Sequence, residues 1–491
     1  MSAGLPYAFA RAHGVLVLGR DADGADVLLR EDASPAALAE ARRCLGLPLR
    51  PEFLPRAAFD ARLAEAYGAA DGDAAAVVAA VVADAGQEID LERMMQELPA
   101  VEDLLETQDD APIIRMINAL LTQAVRDAAS DVHIEPYEAG SVVRLRRDGM
   151  LREIARPHRA LHAAMASRIK IMAQLDIAEK RLPQDGRLGL RLAGRTVDVR
   201  VSTLPTSHGE RIVLRLLDKD AARLGLDALG MATDTRAQFA GLLAQPHGIV
   251  LVTGPTGSGK STTLYAALQT LDSSRLNIVT VEDPVEFDLP GVGQIAVNPR
   301  IELSFARALR AVLRQDPDVI MIGEIRDLET ARIAVQASLT GHLVLATLHT
   351  NDAAAAVTRL VDMGIEPFLL ASTLRGVLAQ RLVRRLCPAC RRSRASAARE
   401  RELLGAGCPP QLGEPHGCDA CGGLGYAGRC GIHELIAVDE TMARLIHDGA
   451  DEGALRARAR ASGSRSLRDD GLRLLADATT SVEELLRATR D

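Results

Sequence analysis

Gly254-Pro255-Thr256-Gly257-Ser258-Gly259-Lys260-Ser261-Thr262 follows the apolar run Ile249 to Val252 and opens a helical stretch, Ser261 to Leu271. It fits G-x-x-x-x-G-K-[ST] at every fixed position, in the strand–loop–helix context that this pattern requires. Glycines there let backbone N–H groups turn inward onto phosphates, Lys260 reaches the β and γ oxygens, and Ser261 offers its hydroxyl to Mg²⁺. The helix N-terminus adds positive potential at the same place. With 40 glycines in 491 residues but only four lysines, roughly three chains in a thousand of this composition would match by accident.

Around the loop, short apolar runs alternate with helical stretches. Strands are expected at Ile249 to Val252, Asn277 to Val281, Asp318 to Ile322 and Leu343 to Thr347, and helices at Ser261 to Leu271, Phe305 to Leu313 and Glu329 to Leu339, the last stopped by Gly341. Buried strands alternating with helices predict an α/β fold with a parallel sheet covered on both faces. Two acidic segments end such strands. Asp318-Val-Ile-Met-Ile-Gly323-Glu324 places a carboxylate at the sheet's C-terminal edge, where Glu324 would orient or deprotonate an attacking water. Thr280-Val-Glu282-Asp283-Pro-Val-Glu286 is the second candidate; the competing reading is that these carboxylates cap helices or face solvent. His342 and His349 bracket the run Leu343 to Leu348, so either would be placed to sense a γ-phosphate or to act as an ordinary hydrogen-bonded histidine.

Downstream, Cys387-Pro-Ala-Cys390 and Cys418-Asp-Ala-Cys421, with 27 residues between the pairs, supply four thiolates for a tetrahedral structural Zn²⁺. A redox pair at Cys387 and Cys390 would leave the second pair unexplained. Cys44, Cys408 and Cys430 read as free thiols. His133-Ile-Glu135 invites a zinc-deaminase reading, but Leu386 stands where that signature needs proline before the first cysteine.

Upstream, residues Leu5 to Tyr67 mix the apolar stretch Gly14 to Leu18 with helical stretches at Ala36 to Leu45 and Ala57 to Ala66, a small α/β or α+β module. An Ala-rich, then acidic segment follows, ending in Glu102, Asp103, Glu106, Asp109 and Asp110, the composition of a connection. Ile113, Ile114, Ile117, Leu120, Leu121 and Ala124 then recur with helical period. Strand alternation at Val142 to Arg147 and at Thr196 to Val201 brackets a basic stretch, Arg181-Leu-Pro-Gln-Asp-Gly-Arg187, expected as a loop. Net charge of −8, 12 aromatic residues and no tryptophan argue against nucleic acid as a partner. The N-terminus carries no secretory pattern, and the longest apolar run, Ala74 to Ala83, has ten residues where a spanning helix needs about 20. A cytoplasmic chain is expected.

The chain resembles the type II/IV secretion ATPases, and within them the branch that serves type II secretion, from Leu5 onward. The densest stretches are Asp110 to Leu121, Ala129-Ser-Asp-Val-His-Ile-Glu-Pro136, Arg181 to Arg187, Asp198-Val-Arg-Val-Ser-Thr-Leu-Pro205, Arg314-Gln-Asp-Pro-Asp318 and Thr340 to His349. The resemblance implies a RecA-like P-loop ATPase domain (221–491) with a zinc subdomain near 383–432. A PAS-like α+β domain (110–220), a linker (68–109) and a small α/β docking domain (1–67) would precede it. Ile278 to Glu286 looks like the family's Asp box, with Glu286 as its contact to the metal site. Gly323-Glu324 looks like the Walker B motif, and Thr340 to His349 like the His box, which makes His349 the sensor. The PAS-like domain of this family brings arginines to nucleotide phosphates; Arg187, Arg200 and Arg211 lie in the matching motifs, against the reading that each is a surface or salt-bridge arginine. The resemblance further implies ATP, Mg²⁺ and structural Zn²⁺, and a homo-oligomeric ring, a hexamer. It also implies docking of the N-terminal domain on the cytoplasmic domain of a membrane-anchored partner, an inner-membrane platform protein and acidic phospholipid as further partners, and a peripheral place on the cytoplasmic face of the inner membrane. A type IV pilus assembly ATPase is the alternative. One departure is Cys430, which stands where the family pattern has a small polar residue and would compete for zinc.

Overall fold

The computed structural model describes residues 10, 13–20, 24–31, 33–56, 58–59, 62, 111–192, 195–217 and 225–490. It divides into two compact units, Met1–Asp90 and Leu91–Asp491.

In the first unit, strands β1 (Val15–Arg20) and β2 (Ala25–Arg30) pair antiparallel; helix α1 (Pro35–Leu45) then carries the chain over to β3 (Leu49–Leu54), parallel to β2. The start of α1 is set locally: Ser34 accepts a hydrogen bond from the Ala37 N–H, Pro35 occupies the first turn, and Gly46 closes the far end at φ 66°. Val15, Val17, Val27 and Leu29 meet Ala37 and Ala41 in its core. The helix expected at Ala57 to Ala66 and the connection expected at 68–109 lie largely outside the described residues.

The second unit begins with α2 (Ala111–Arg126), whose Ile113, Met116, Ile117, Leu120, Leu121 and Ala124 are buried, as their period requires. Strands β4 (Ala129–Pro136), β5 (Ser141–Arg147) and β6 (Met150–Ala155), helix α3 (Arg159–Met172), and strands β7 (Gln184–Leu192), β8 (Arg195–Thr206) and β9 (Gly209–Leu217) follow. The six strands form one antiparallel sheet in the order β6-β5-β4-β9-β8-β7. The basic stretch expected as a loop is a correction: it runs into β7, with Arg187 opposite Arg200 on β8. Leu188 packs inward with Val199 while Arg187 stays exposed, an alternation that stabilises only once β8 lies alongside.

The remaining elements are α4 (Thr233–Leu243), β10 (Gly248–Thr253), α5 (Lys260–Thr270), β11 (Ile278–Glu282), β12 (Gly293–Ala296), α6 (Phe305–Val312), β13 (Val319–Ile322), α7 (Leu328–Leu339), β14 (Leu343–Leu348), α8 (Ala353–Asp362), α9 (Pro367–Thr373), β15 (Leu374–Leu386), β16 (Arg392–Ala395), α10 (Ala398–Leu404), β17 (Gln411–Glu414), β18 (Tyr426–Ala437), α11 (Glu440–His447), α12 (Glu452–Ala461), α13 (Leu467–Ala476) and α14 (Val482–Ala488). Seven strands form a mixed sheet in the order β12-β11-β13-β14-β10-β15-β18. The four expected strands, β11, β13, β14 and β10, are parallel neighbours, and only β15 and β18, at one edge, pair antiparallel. There the chain leaves through the cysteine segment and returns beside its own exit strand. Both faces are covered. Ile249, Leu251, Val281, Ile322 and Val344 point into one core, and Val250, Val252, Ile278, Met321 and Leu345 into the other. Each such side chain contributes roughly 1.5–3 kcal/mol on burial, which explains why these strands read as continuous apolar runs. No helix among the described residues is long and apolar enough to cross a membrane.

The C-terminal helix is locked to the sheet by a charge. Glu484 on α14 is fully buried, accepting from Arg384 Nη2 at 2.6 Å, the Arg384 N–H at 3.1 Å and Arg487 Nη2 at 2.9 Å. Burial alone would raise its pKa, but the hydrogen bonds from Arg487 and Arg384 outweigh burial and hold it at about 2. A depressed folded-state value stabilises above the unfolded pKa, and that stability is lost as pH falls from 4.5 towards 2. Glu484→Gln is expected to cost about 3 kcal/mol at pH 7, with the gap to wild type narrowing in urea melts below pH 4.5. An equal gap at pH 3 and pH 7 would refute the ion pair.

Candidate functional site

The site is built at the C-terminal ends of the parallel strands. β10 is buried along its whole length, and the chain leaves it through three glycines at positive φ: Gly254 (149°), Gly257 (79°) and Gly259 (88°). At Gly254 a Cβ would lie 2.4 Å from the Gln380 carbonyl oxygen, so a side chain there is excluded by contact as well as by conformation. Helix α5 starts at Lys260, whose Nζ donates to the carbonyls of Gly254 (2.8 Å) and Pro255 (3.0 Å). Burial lowers the lysine pKa and the Glu324 charge works in the opposite direction.

A cavity of about 850 Å³ opens in front of this loop. It is lined by Thr256, Gly257, Gly259, Lys260, Ser261 and Thr262 from the loop and helix, Glu282 at the end of β11 and Glu286 beyond it, Glu324 after β13, His349 after β14 and Arg429 on β18. Arg215 on β9 lines it from the antiparallel sheet. The loop, both acidic segments and one of the two histidines therefore converge on one space. Glu324 pairs with Arg326, and His349 Nε2 lies 3.5 Å from its second oxygen. Burial, and after it the Lys260 charge, lower the His349 pKa, with Glu324 opposing them. His342 faces elsewhere: its Nδ1 lies 2.8 Å from the Ala337 carbonyl, at the end of α7.

The carboxylates of Glu282 and Glu286 are held differently from each other. Glu282 is buried and accepts from the Tyr265 hydroxyl, from Thr280 Oγ1 at 2.5 Å and from Gln294 Nε2 at 3.1 Å. Glu286 is half-buried and faces Arg200, whose Nη2 lies 3.0 Å from its carboxylate and donates to the Val285 carbonyl at 2.9 Å. Arg200 thus joins the antiparallel sheet to the segment after β11, with Arg187 beside it in register. Arg211 is engaged elsewhere. It lies 2.8 Å from Glu135, which also holds Arg144 at 2.5 Å, and it is not among the residues lining the cavity. Sequence reading missed Arg215, Arg429, Tyr265 and Gln380. Arg215 becomes visible only in the β8–β9 register, where it is opposite Arg200, and no local pattern announces that pairing.

At the far end of β15, the sulfurs of Cys387, Cys390, Cys418 and Cys421 lie within 4.8 Å of one another. Individual separations are 3.9 Å (Cys387–Cys418), 3.9 Å (Cys390–Cys421) and 3.8 Å (Cys418–Cys421). Zinc–sulfur bonds of about 2.3 Å in a tetrahedron place sulfurs about 3.8 Å apart, the spacing of those three pairs, so the four thiols suit that ion. Backbone N–H groups of Gly417, Cys418 and Gly425 donate to the sulfurs at 3.1–3.3 Å, which supports thiolate charge. Cys430 is outside this cluster: it is buried with Val383, Leu404 and Ile432, and burial pushes its thiol up to about 11. The competition for zinc expected at Cys430 is therefore corrected. Cys408 is likewise free, while the Cys44 side chain lies outside the described residues. His133 and Glu135 sit on β4 amid arginines; among the described residues the cysteines form the one cluster of metal-ligand geometry.

A family model described as "Type II/IV secretion system protein" matches residues 106–487, and a second, for the N-terminal domain of "GSPII protein E", matches residues 4–67. The "Type II secretion system protein HxcR" of Pseudomonas aeruginosa is 61% identical over 487 residues, covering 99% of each chain. The "Type II secretion system ATPase E" of Vibrio cholerae is 52% identical over 490 residues, covering 99% of this chain and 97% of its own. Among solved structures, the pilus retraction motor PilT with bound ADP aligns with a TM-score of 0.53 and 26% identity, over 76% of this chain and 97% of that one.

Proposed function

The chain belongs to the type II/IV secretion system protein family and is an ATP-hydrolysing enzyme, and we propose that it powers pseudopilus assembly and protein export by a type II secretion system. The observation that carries the catalytic reading is the convergence of the glycine loop, Lys260, Glu324 and His349 on one cavity.

In this reading the backbone N–H groups of Gly257 to Ser261 cradle the phosphates and Lys260 leaves the loop carbonyls to neutralise them. The Ser261 hydroxyl and the carboxylates of Glu286 and Glu324 are hard oxygen donors that suit Mg²⁺, which when bound offsets charge on the transferred phosphoryl group. Glu324, paired with Arg326, orients the attacking water and accepts its proton. His349 serves as a hydrogen-bonding sensor beside Glu324. Arg200 and Arg187 stand where the antiparallel sheet meets the Glu286 segment, and Arg215 on the cavity wall is assigned the same charge-offsetting role. Arg211 serves the Glu135 network.

The chain is divided into an N-terminal docking domain (1–67), a linker (68–109), a PAS-like domain (110–220) and a RecA-like domain (221–491) that carries structural zinc on Cys387, Cys390, Cys418 and Cys421. The N-terminal family match favours secretion over pilus assembly. The working form is a hexameric ring at the cytoplasmic face of the inner membrane. There the N-terminal domain docks on a membrane-anchored partner, and the ring acts on a platform protein beside acidic phospholipid. Glu324→Gln tests the catalytic core: hydrolysis is expected to fall about 100-fold while nucleotide binding persists, because the variant loses the base and keeps the loop. Near-normal phosphate release would remove Glu324 from the mechanism.

A further inference from the structure

Gln380 lies in the middle of β15, a strand that carries no part of the nucleotide motif, and its side chain is 2% exposed. Its Nε2 donates to the Ser258 carbonyl at 2.7 Å and its Oε1 accepts from Thr263 Oγ1 at 2.7 Å, so one amide spans from the loop to the first turn of α5. The loop wraps closely around this residue. A Cβ on Gly259 would lie 2.8 Å from Gln380 Nε2, and one on Gly254 would lie 2.4 Å from its carbonyl oxygen.

We propose that Gln380 is a positioning residue for nucleotide phosphate, acting through the Ser258–Gly259 peptide; the inference rests on the nucleotide-binding reading of the loop. The Ser258–Gly259 peptide is planar and trans, so its C=O and N–H point in opposite directions. A carbonyl held on Gln380 sends the Gly259 N–H away from β15, towards the cavity that Gly259 and Lys260 line. With the carbonyl released, the peptide is free to turn and to present an oxygen, rather than a donor, to an anion. The Ser258 carbonyl only accepts, so it requires Nε2; Oε1 on the other side then accepts from the Thr263 hydroxyl, which anchors the amide in that place.

The test is the affinity of the full-length chain for Mg·ADP by titration calorimetry, with thermal melts beside it. Gln380→Met, of similar volume and without polar atoms, is expected to weaken binding about tenfold with a melting shift of a few degrees at most. Thr263→Val is expected to give a smaller loss in the same direction, and Thr263→Ser, which keeps the hydroxyl, to restore wild-type affinity; this pair decides the matter if Gln380→Met does not fold. A merely structural tether would lower the melting temperature and leave affinity within about twofold. That result overturns the proposal, as does equal affinity for Thr263→Val and Thr263→Ser. Wild-type chain that binds no Mg·ADP would instead refute the nucleotide reading itself.

Discussion

Lys260→Ala is expected to lower ATP hydrolysis by a factor of a thousand or more, on the order of 4 kcal/mol of transition-state stabilisation. Lys260 is the one lysine among those lining the cavity, and its amine is held at the loop by the Gly254 and Pro255 carbonyls. Those two bonds lie beside the space that the phosphates are proposed to fill, so the amine needs only a short rearrangement to reach them. Burial lowers its pKa and Glu324 supports the charge; both mark a cation kept in a poorly solvated place, where a point charge is worth most. Its removal exposes two carbonyls to the cavity but empties no core, because the neighbouring Thr263, Leu264 and Tyr265 are untouched. Folding should therefore survive. Phosphate release by the purified variant, compared with its thermal melt, separates the two effects, and turnover within tenfold of wild type would take Lys260 out of the reaction.

How far the residues alone disclose this molecule depends on whether the controlling contact is local. Strand β10, the loop and helix α5 were readable because apolar run, glycines and lysine are contiguous; the observed Gly248–Thr253 strand exceeds the expected Ile249 to Val252 by one residue at each end. Strands β11, β13 and β14 were legible for the same reason, being buried on both faces. Strand β15 was not. Its Arg381, Arg384 and Arg385 break the apolar pattern, and its partners β10 and β18 are distant in sequence. What binds those arginines is equally remote: Arg384 is neutralised by Glu484 and Arg381 donates to Asn351. The arginines of the antiparallel sheet show the limit most sharply. Arg200, Arg211 and Arg215 sit in similar alternating strands, and only sheet register and the partners Glu286, Glu135 and Asp131 tell them apart. Carboxylates following strands were easy to nominate, whereas the difference between Glu282, saturated by neutral donors, and Glu286, facing a guanidinium, is tertiary.

Zinc is the other large effect. One Zn²⁺ per chain is expected by elemental analysis of purified protein, and Cys418→Ser is expected to reduce it to near zero. The consequence should be local unfolding. Between Cys390 and Cys418 the chain has two short strands, β16 and β17, and one short helix, a small apolar complement for so long an excursion. Four thiols brought within 4.8 Å of one another without a counter-charge repel as they ionise, so without the ion the cluster loses its reason to stay closed. Structural zinc sites in small modules supply roughly 10–16 kcal/mol, more than this segment's packing is able to replace. The damage is expected to reach the antiparallel sheet, because Arg152 donates to the Gly422 carbonyl beside Cys421 and Asp148 accepts from the Gly428 N–H. Amide exchange should therefore rise across residues 387–428 and at the β5–β6 turn, while β10, β13 and β14 keep their protection. Full protection of 387–428 in metal-free Cys418→Ser would show that packing alone closes the segment, and the structural role of the four thiolates would fall.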